Sequence, residues 1–405
     1  MTILINAEAC EADQQDCVGR TPLAWAARNR HERVVRILLE RKNADPNRPD
    51  KDGEDPLRWA AIAGHEGVVK LLLEQENMDP NRPGKYDRTP LGSAAIGGHE
   101  GVVKILLEQE NVDPNRPDED GDGPLGCTAI YGHEGVVRLL LGRENIDPNR
   151  QNNNGRTPLV CATMEGHEGV VKLLLERKAV DPNLPDKYNR TPLAWAAIKG
   201  HEGVVKLLLE RGDVDPNRPD EYGNGPLGWA ASKGHDRVAK LLLGRGNVDP
   251  NRPDKYDRTP LGNAAMEGHE GVVKLLLEQE NVDPNRPDED GDGPLGCAVI
   301  RGHGGVVKLL LGQENVDPNH QNKNNETPLM CAARKGHEGV IKILLEQENV
   351  DPNRPDDDGD GPLGQCSQSS GAPVGPGGGT AKTPGRDGTT KCRPSSSLNF
   401  QDGRH

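Results

Sequence analysis

The sequence is ruled at intervals of 34 residues, and that ruler constrains the fold more than any other feature. Pro stands at 22, 56, 90, 124, 158, 192, 226, 260, 294, 328 and 362, in TPL or a variant of it, and every step is 34. His recurs at 31, 65, 99, 133, 167, 201, 235, 269, 303 and 337 with the same step. A fixed period of this length means stacked copies of one small unit, each touching only its neighbours. There are ten full units and the start of an eleventh. Composition agrees. Only 2% of the 405 residues are aromatic, with a single Phe, too few for one large three-dimensional core.

Residues 190–223, RTPLAWAAIKGHEGVVKLLLERGDVDPNRPDEYG, show one unit. Thr191 is placed to cap a helix with Pro192 at its first position, where a missing N–H costs nothing. Leu193, Trp195, Ala196 and Ala197 give this helix of about nine residues its apolar side. Gly200 ends it. A second helix from about His201 buries Val204, Val205, Leu208 and Leu209. Glu202, Lys206 and Glu210 stand four apart on its exposed side, each pair worth about a few tenths of a kcal/mol. DVDPNRPDEYG has two prolines and no helical pattern, so it is an extended, turning loop.

A longer period lies over the first. Residues 88–121 closely match 258–291, and 122–155 match 292–325, an offset of 170 residues or five units. The slot of Trp25 runs Trp, Trp, Ser, Cys, Cys, then Trp, Trp, Asn, Cys, Cys. A block of five units has been duplicated, which speaks of origin and not of chemistry.

Tetratricopeptide repeats also have a 34-residue period, but they need two long helices, a short turn and set Trp, Tyr and Phe positions. The pattern T-P-L-x-x-A-A-x-x-G-H-x-x-V-V-x-x-L-L instead resembles the ankyrin repeat, whose signature is T-P-L-H-x-A. The resemblance covers residues 17–363 and implies an all-α ankyrin-repeat solenoid of about ten helix–turn–helix–loop units. Two departures stand out. The family's period is 33, and here one extra residue falls in the loop, within DPN. The family's His after TPL is replaced in every copy, by Ala24, Arg58, Gly92, Gly126, Val160, Ala194, Gly228, Gly262, Gly296 and Met330. In the family that His ties loops to helices, so the tie is in question here. Gly inside a helix costs up to ~1 kcal/mol relative to Ala. Gly67 and its equivalents add a second weak point, in the first turn of the second helix. The expectation is modest stability per repeat, with neighbours holding the array together.

Residues 1–16 form a lead-in and partial repeat, 17–363 the array, and 364–405 a Gly/Ser/Thr/Pro-rich tail whose composition predicts disorder. The pattern stops in mid-repeat at Leu363-Gly364, which suggests a chain cut from a longer array or a coding change. Net charge is −14, which argues against nucleic acid or an anionic membrane surface as partner. No apolar run approaches the ~20 residues of a membrane span. MTILINAEAC lacks the basic start of a signal peptide. Cys127 and Cys161 are 34 residues apart, as are Cys297 and Cys331. Equivalent helices lie ~8–10 Å apart, whereas a disulfide needs Cα atoms within ~7 Å. These four are expected to be reduced, small apolar residues in a cytoplasmic setting, with a nuclear one compatible. Cys10, Cys17, Cys366 and Cys392 carry no assigned role.

Three motifs invite a chemical interpretation. DEDGDG at 118–123 and 288–293 alternates Asp118, Asp120 and Asp122, then Asp288, Asp290 and Asp292, and DDDGDG follows at 356–361. A helix–loop–helix calcium loop would close with Glu at its twelfth position, which here is Ala129. The ruler explains the letters more simply. Asp118 is a loop Asp, Gly121 a turn glycine, and Gly123-Pro124-Leu125 the TPL slot. No cofactor or metal is therefore expected, with weak calcium binding as the rival. HEGVV is not HExxH, because Val69 stands where a second His would be needed, so the recurring His is structural. Trp25, Trp59, Trp195 and Trp229 are expected to pack on the inner side of their helices rather than form a ligand platform. No Ser/His/Asp, Cys/His or phosphate-loop pattern occurs, and no enzyme is expected.

In the ankyrin family the loops project as fingers, whose tips line a concave groove with the first helices and bind other proteins. Carried onto this chain, the tips hold Tyr86, Tyr188, Tyr222 and Tyr256, the last three in consecutive repeats at ~10 Å steps. Tyr is a frequent interface anchor. Beside them stand Lys187, Glu221 and Lys255, and from the first helices Lys199, Lys233 and Glu267. The resemblance implies a non-catalytic protein-binding scaffold. The acidic tips predict a partner with a basic surface patch and salt-sensitive association. Two rivals are the calcium-dependent surface and the repeat sensor portion of a larger signalling NTPase receptor, whose fungal-type arrays this one resembles. The oligomeric state is not fixed by the sequence.

Overall fold

The computed structural model describes residues 13–41 and 44–355. The expected tail at 364–405, the start of the eleventh repeat and residues 1–12 of the lead-in lie outside them. Among the described residues there is no strand. Helix pairs repeat from Pro22–Arg28 with Glu32–Leu39 to Pro328–Lys335 with Glu338–Leu345. First helices stack on first helices and second on second, as a solenoid requires. The first helices are seven or eight residues long, shorter than the sequence pattern suggests.

Local chemistry sets the helix ends. Thr21, Thr89, Thr157, Thr191, Thr259 and Thr327 each accept a hydrogen bond from the N–H three residues on, with Pro next in line. Each such cap is worth ~1 kcal/mol. Gly123, Gly225 and Gly293 stand in the same slot without a side-chain cap. Gly200 closes its helix at φ 76°. It must be Gly for a second reason: an added Cβ would lie 2.6 Å from the His235 ring of the next repeat.

That His makes a tie of its own, from the start of each second helix to the preceding repeat's first helix. From His65 to His337, each ring Nε2 lies 2.8–3.1 Å from a carbonyl 37 residues earlier, such as Ile198 for His235. A carbonyl only accepts, so Nε2 carries the proton. Most second-helix glycines lie under an acidic side chain of the preceding repeat. Glu168 of one repeat lays its carboxylate over Gly203 of the next, in space that a side chain there would share only by moving it. Arg237 occupies the equivalent position and pairs with Glu202 at 3.5 Å.

Two ladders run along the loops. The Asn of each DPN, from Asn47 to Asn319, donates through Nδ2 to a carbonyl 30 residues on, at 2.5–2.7 Å. Its Oδ1 accepts from an N–H 32 residues on, at 2.8–3.1 Å. At the tips, backbone bonds join neighbouring fingers, as from Glu221 N–H to the Tyr188 carbonyl at 3.1 Å. Leu193, Ala196, Ala197, Val204, Val205 and Leu208 are fully buried, and their equivalents continue one core along the stack.

Candidate partner-binding face

The face is built from each loop tip and the first helix that follows it. One Asp organises both. Asp186 Oδ1 accepts from the N–H groups of Tyr188 and Arg190 at 2.9 and 3.0 Å, and its Oδ2 from Trp195 Nε1 at 3.0 Å. Asp220 does the same for Tyr222, Asn224 and Trp229 at 2.9, 3.1 and 2.9 Å. A single carboxylate thus fixes a tyrosine at the tip and an indole on the helix. Burial raises the pKa of Asp220 against these bonds.

Arg190 enters from the side. It pairs with Asp220 at 3.5 Å. Its guanidinium lies over Tyr188, Trp195, Tyr222 and Trp229 at 5.1, 5.0, 5.8 and 5.4 Å. Lys187 covers Tyr188 at 5.1 Å, Lys255 covers Tyr222 at 4.2 Å and Tyr256 at 4.9 Å, and Arg258 covers Tyr256 at 4.7 Å. Such contacts are worth ~0.5–1 kcal/mol each at a surface. The structure therefore brings Tyr188, Tyr222, Tyr256, Lys187 and Lys255 together, with the three rings half-buried in a cation–aromatic stack. Glu221 is exposed beside them, and its hydrogen bond raises the Tyr222 phenol pKa. Lys199 is half-buried at the end of its first helix, and Lys233 and Glu267 are exposed at the ends of theirs. Lys233 lies 6.0 Å over Trp229.

Sequence reasoning missed Arg190, Arg258 and the organising Asp. The signal was the residue before TPL, a slot that Arg20, Arg88, Arg156, Arg190 and Arg258 share with Glu54, Asp122, Asn224, Asp292 and Glu326. It also missed an exchange at Gly84, which stands where neighbouring tips have Asp. Arg58 fills that space from the previous repeat. It donates to the Lys85 carbonyl at 2.9 Å and to Ser93 Oγ at 3.0 Å, and it pairs with Glu54 at 2.7 Å.

The DEDGDG tips keep the same frame. Asp118 Oδ1 accepts from the Asp120 and Asp122 N–H groups at 3.1 and 3.0 Å, and its Oδ2 faces Arg88 at 3.2 Å. Asn152 donates to Asp122 at 3.1 Å. Asp288 accepts from the Asp290 and Asp292 N–H groups at 3.0 Å each, and Asn322 donates to Asp292 at 3.1 Å. Asp120 and Asp290 are exposed. Burial pushes the Asp122 carboxyl up to about 6 and that of Asp292 to about 7. Among the described residues, no group of three or more His, Cys, Asp or Glu is placed to hold a metal ion. Cys127 and Cys297 occupy the Trp slot and reach Asp118 and Asp288 at 3.8 Å. With Cys161 and Cys331 they are buried free thiols. Burial raises all four, Cys331 to about 12, so at neutral pH they are not thiolates.

A family model described as ankyrin repeats, three copies to a match, fits residues 1–83, 42–118, 76–152, 144–220, 179–254, 227–322 and 295–373. The chain is an ankyrin repeat protein. No curated protein matches it. Ankyrin repeats mediate protein–protein interaction, and the family is typically non-catalytic. No helix among the described residues of the ankyrin array is long and apolar enough to cross a membrane.

Proposed function

We propose that the array is a non-catalytic scaffold that binds a partner protein along the concave face of loop tips and first helices. Tyr188, Tyr222 and Tyr256 are its centre, with Lys187, Glu221, Lys255, Lys199, Lys233 and Glu267 around them. The cation–aromatic stack carries this reading. Its rings are already held, so they lose little freedom when a partner arrives. The exposed tips Glu119 and Asp120 on one side, and Glu289 and Asp290 on the other, favour a partner with basic patches. Reduced, buried cysteines fit a cytoplasmic or nuclear setting.

The test is capture from a native lysate with the intact chain and with Tyr188, Tyr222 and Tyr256 changed to Ala. Each is run with calcium and with chelator. A protein held by the intact chain in low salt and lost by the folded variant supports the reading. Retention by the variant would move the site elsewhere. Capture that follows calcium would hand the site to the DEDGDG tips.

A further inference from the structure

The first two repeats repeat the aromatic frame five units earlier. Trp25 Nε1 donates to Asp16 at 2.9 Å and Trp59 Nε1 to Asp50 at 3.1 Å. Arg20 pairs with Asp50 at 3.5 Å and lies 4.9 Å over both indoles. Arg28 adds a second guanidinium, 5.6 Å over Trp25 and 4.6 Å over Trp59. Here the apolar groups are open to solvent. Val18, Trp25 and Ile62 are 41%, 39% and 39% exposed. Arg28, over the Trp25 ring, and Arg30, two residues on, are exposed as well.

Charge at this end is unevenly placed: residues 1–16 hold four carboxylates and no Lys or Arg, and the cations follow them. Residues 17–50 hold eight Lys and Arg against four Asp and Glu, in a chain of net charge −14. Residues 17–30, which supply the first tip and first helix, contain Arg20, Arg28 and Arg30 and no carboxylate. Of the carboxylates described nearby, Glu32 is exposed and the tip carboxylates are engaged. Asp16 and Asp50 take the indoles, and exposed Asp52 faces Lys85 at 3.7 Å. Both indole N–H groups are used, so the rings offer a partner only their faces and edges.

We propose that this end carries a second docking site, which takes an acidic segment of a partner protein bearing an apolar anchor. Arg28 and Arg30 receive its carboxylates, and Trp25, Val18 and Ile62 receive the anchor. The site lies ~50 Å from the Tyr row at ~10 Å per repeat. It selects the opposite charge from the acidic tips, and it does not depend on the Tyr row being used.

The chain has four Trp, two at each place, so emission can be assigned to one place at a time. Full-length protein with Trp195→Phe and Trp229→Phe reports through Trp25 and Trp59. It is titrated with a synthetic peptide alternating Glu and Leu, and with the same peptide carrying Lys for Glu. A saturable emission change is expected with the Glu peptide and not with the Lys peptide. Arg28→Glu with Arg30→Glu, at exposed positions, is expected to weaken it about tenfold or more while circular dichroism is unchanged. Equal response to both peptides, undiminished binding by the charge-reversed variant, or no saturable change would each overturn the proposal. The companion protein with Trp25→Phe and Trp59→Phe reports through Trp195 and Trp229, so failure at one place is not confused with failure at the other.

Discussion

The octapeptide RTPLAWAA occurs twice, at 20–27 and 190–197. Both copies start a helix at Pro and cap it with Thr, at 3.1 and 3.2 Å. Both indoles donate to a tip Asp, at 2.9 and 3.0 Å, and both lie under the Arg of the octapeptide, at 4.9 and 5.0 Å. Yet Trp25 is 39% exposed and Trp195 only 7%. The difference comes from the neighbour. Arg156 of the preceding repeat covers Trp195 at 5.4 Å, whereas the cations described over Trp25, Arg20 and Arg28, come from its own repeat. In a one-dimensional stack, local sequence sets the helix and its caps, and the adjoining repeat sets burial.

The largest test of that division is a pair of identical core truncations. Leu23 and Leu193 are equally and fully buried within the octapeptide. Truncating such a Leu to Ala costs ~2–5 kcal/mol. Leu193→Ala sits between two interfaces and is expected to lower the urea midpoint of the main unfolding transition. Leu23→Ala is expected to fray the first repeat and leave that midpoint nearly unchanged, because end repeats open independently. Hydrogen exchange read by mass spectrometry would separate the two. Equal losses of protection across the whole array would show that the ends and the middle are not energetically distinct.

A second contrast lies one repeat further on. The Trp59 repeat has Glu54-Asp55 before its helix, and the Trp229 repeat has Asn224-Gly225. Asp55 is buried and accepts the cap bond from the Arg58 N–H at 2.7 Å. Burial pushes its carboxyl up to about 6. Burial also raises Glu54, against the pull of Arg58. An acid with a raised folded pKa holds its proton more tightly when folded. Its stabilisation is full below the unfolded pKa near 3.8 and is lost as pH rises through about 6. Relative to Glu54→Asn with Asp55→Gly, the parent is expected to lose on the order of 2 kcal/mol between about pH 4 and pH 7. The readout is the difference in pH dependence of the urea transition that Trp59 alone reports, measured without Trp25, Trp195 and Trp229. Parallel pH curves would mean that these carboxyls titrate as they do in water.

What the sequence made legible follows the same line between local and neighbouring. The Thr caps, the Pro starts, the Gly200 stop and the Val–Leu stripe are written within a few residues of where they act. The His235 tie to Ile198, the Asn ladder and the Arg58–Ser93 bond join residues about one repeat apart in sequence. A ruler shows that such residues recur, but not which atom they reach. The carboxylate that lies over Gly203, that of Glu168, likewise belongs to the previous repeat. The Tyr row was visible for its spacing. The guanidinium between its rings was not, because Arg190 precedes TPL and was absorbed into the helix signature.

The smallest expected effect bears most directly on the octapeptide. In protein lacking Trp25 and Trp59, Arg156→Ala removes the preceding repeat's cover from Trp195. The stability lost should be only ~0.5–1 kcal/mol, the scale of one exposed cation–aromatic contact. The optical change should be clear all the same. Trp195 is expected to shift its emission to the red and become more open to acrylamide, approaching what Trp25 shows in the protein lacking Trp195 and Trp229. Trp229, covered by Arg190 of its own preceding repeat, remains as an internal reference. If quenching does not rise, the Arg190 contact shared by both copies of the octapeptide is enough to shield its indole. The exposure of Trp25 would then have to come from the geometry of the first tip, where Val18 stands in the slot that Tyr188 fills five repeats later.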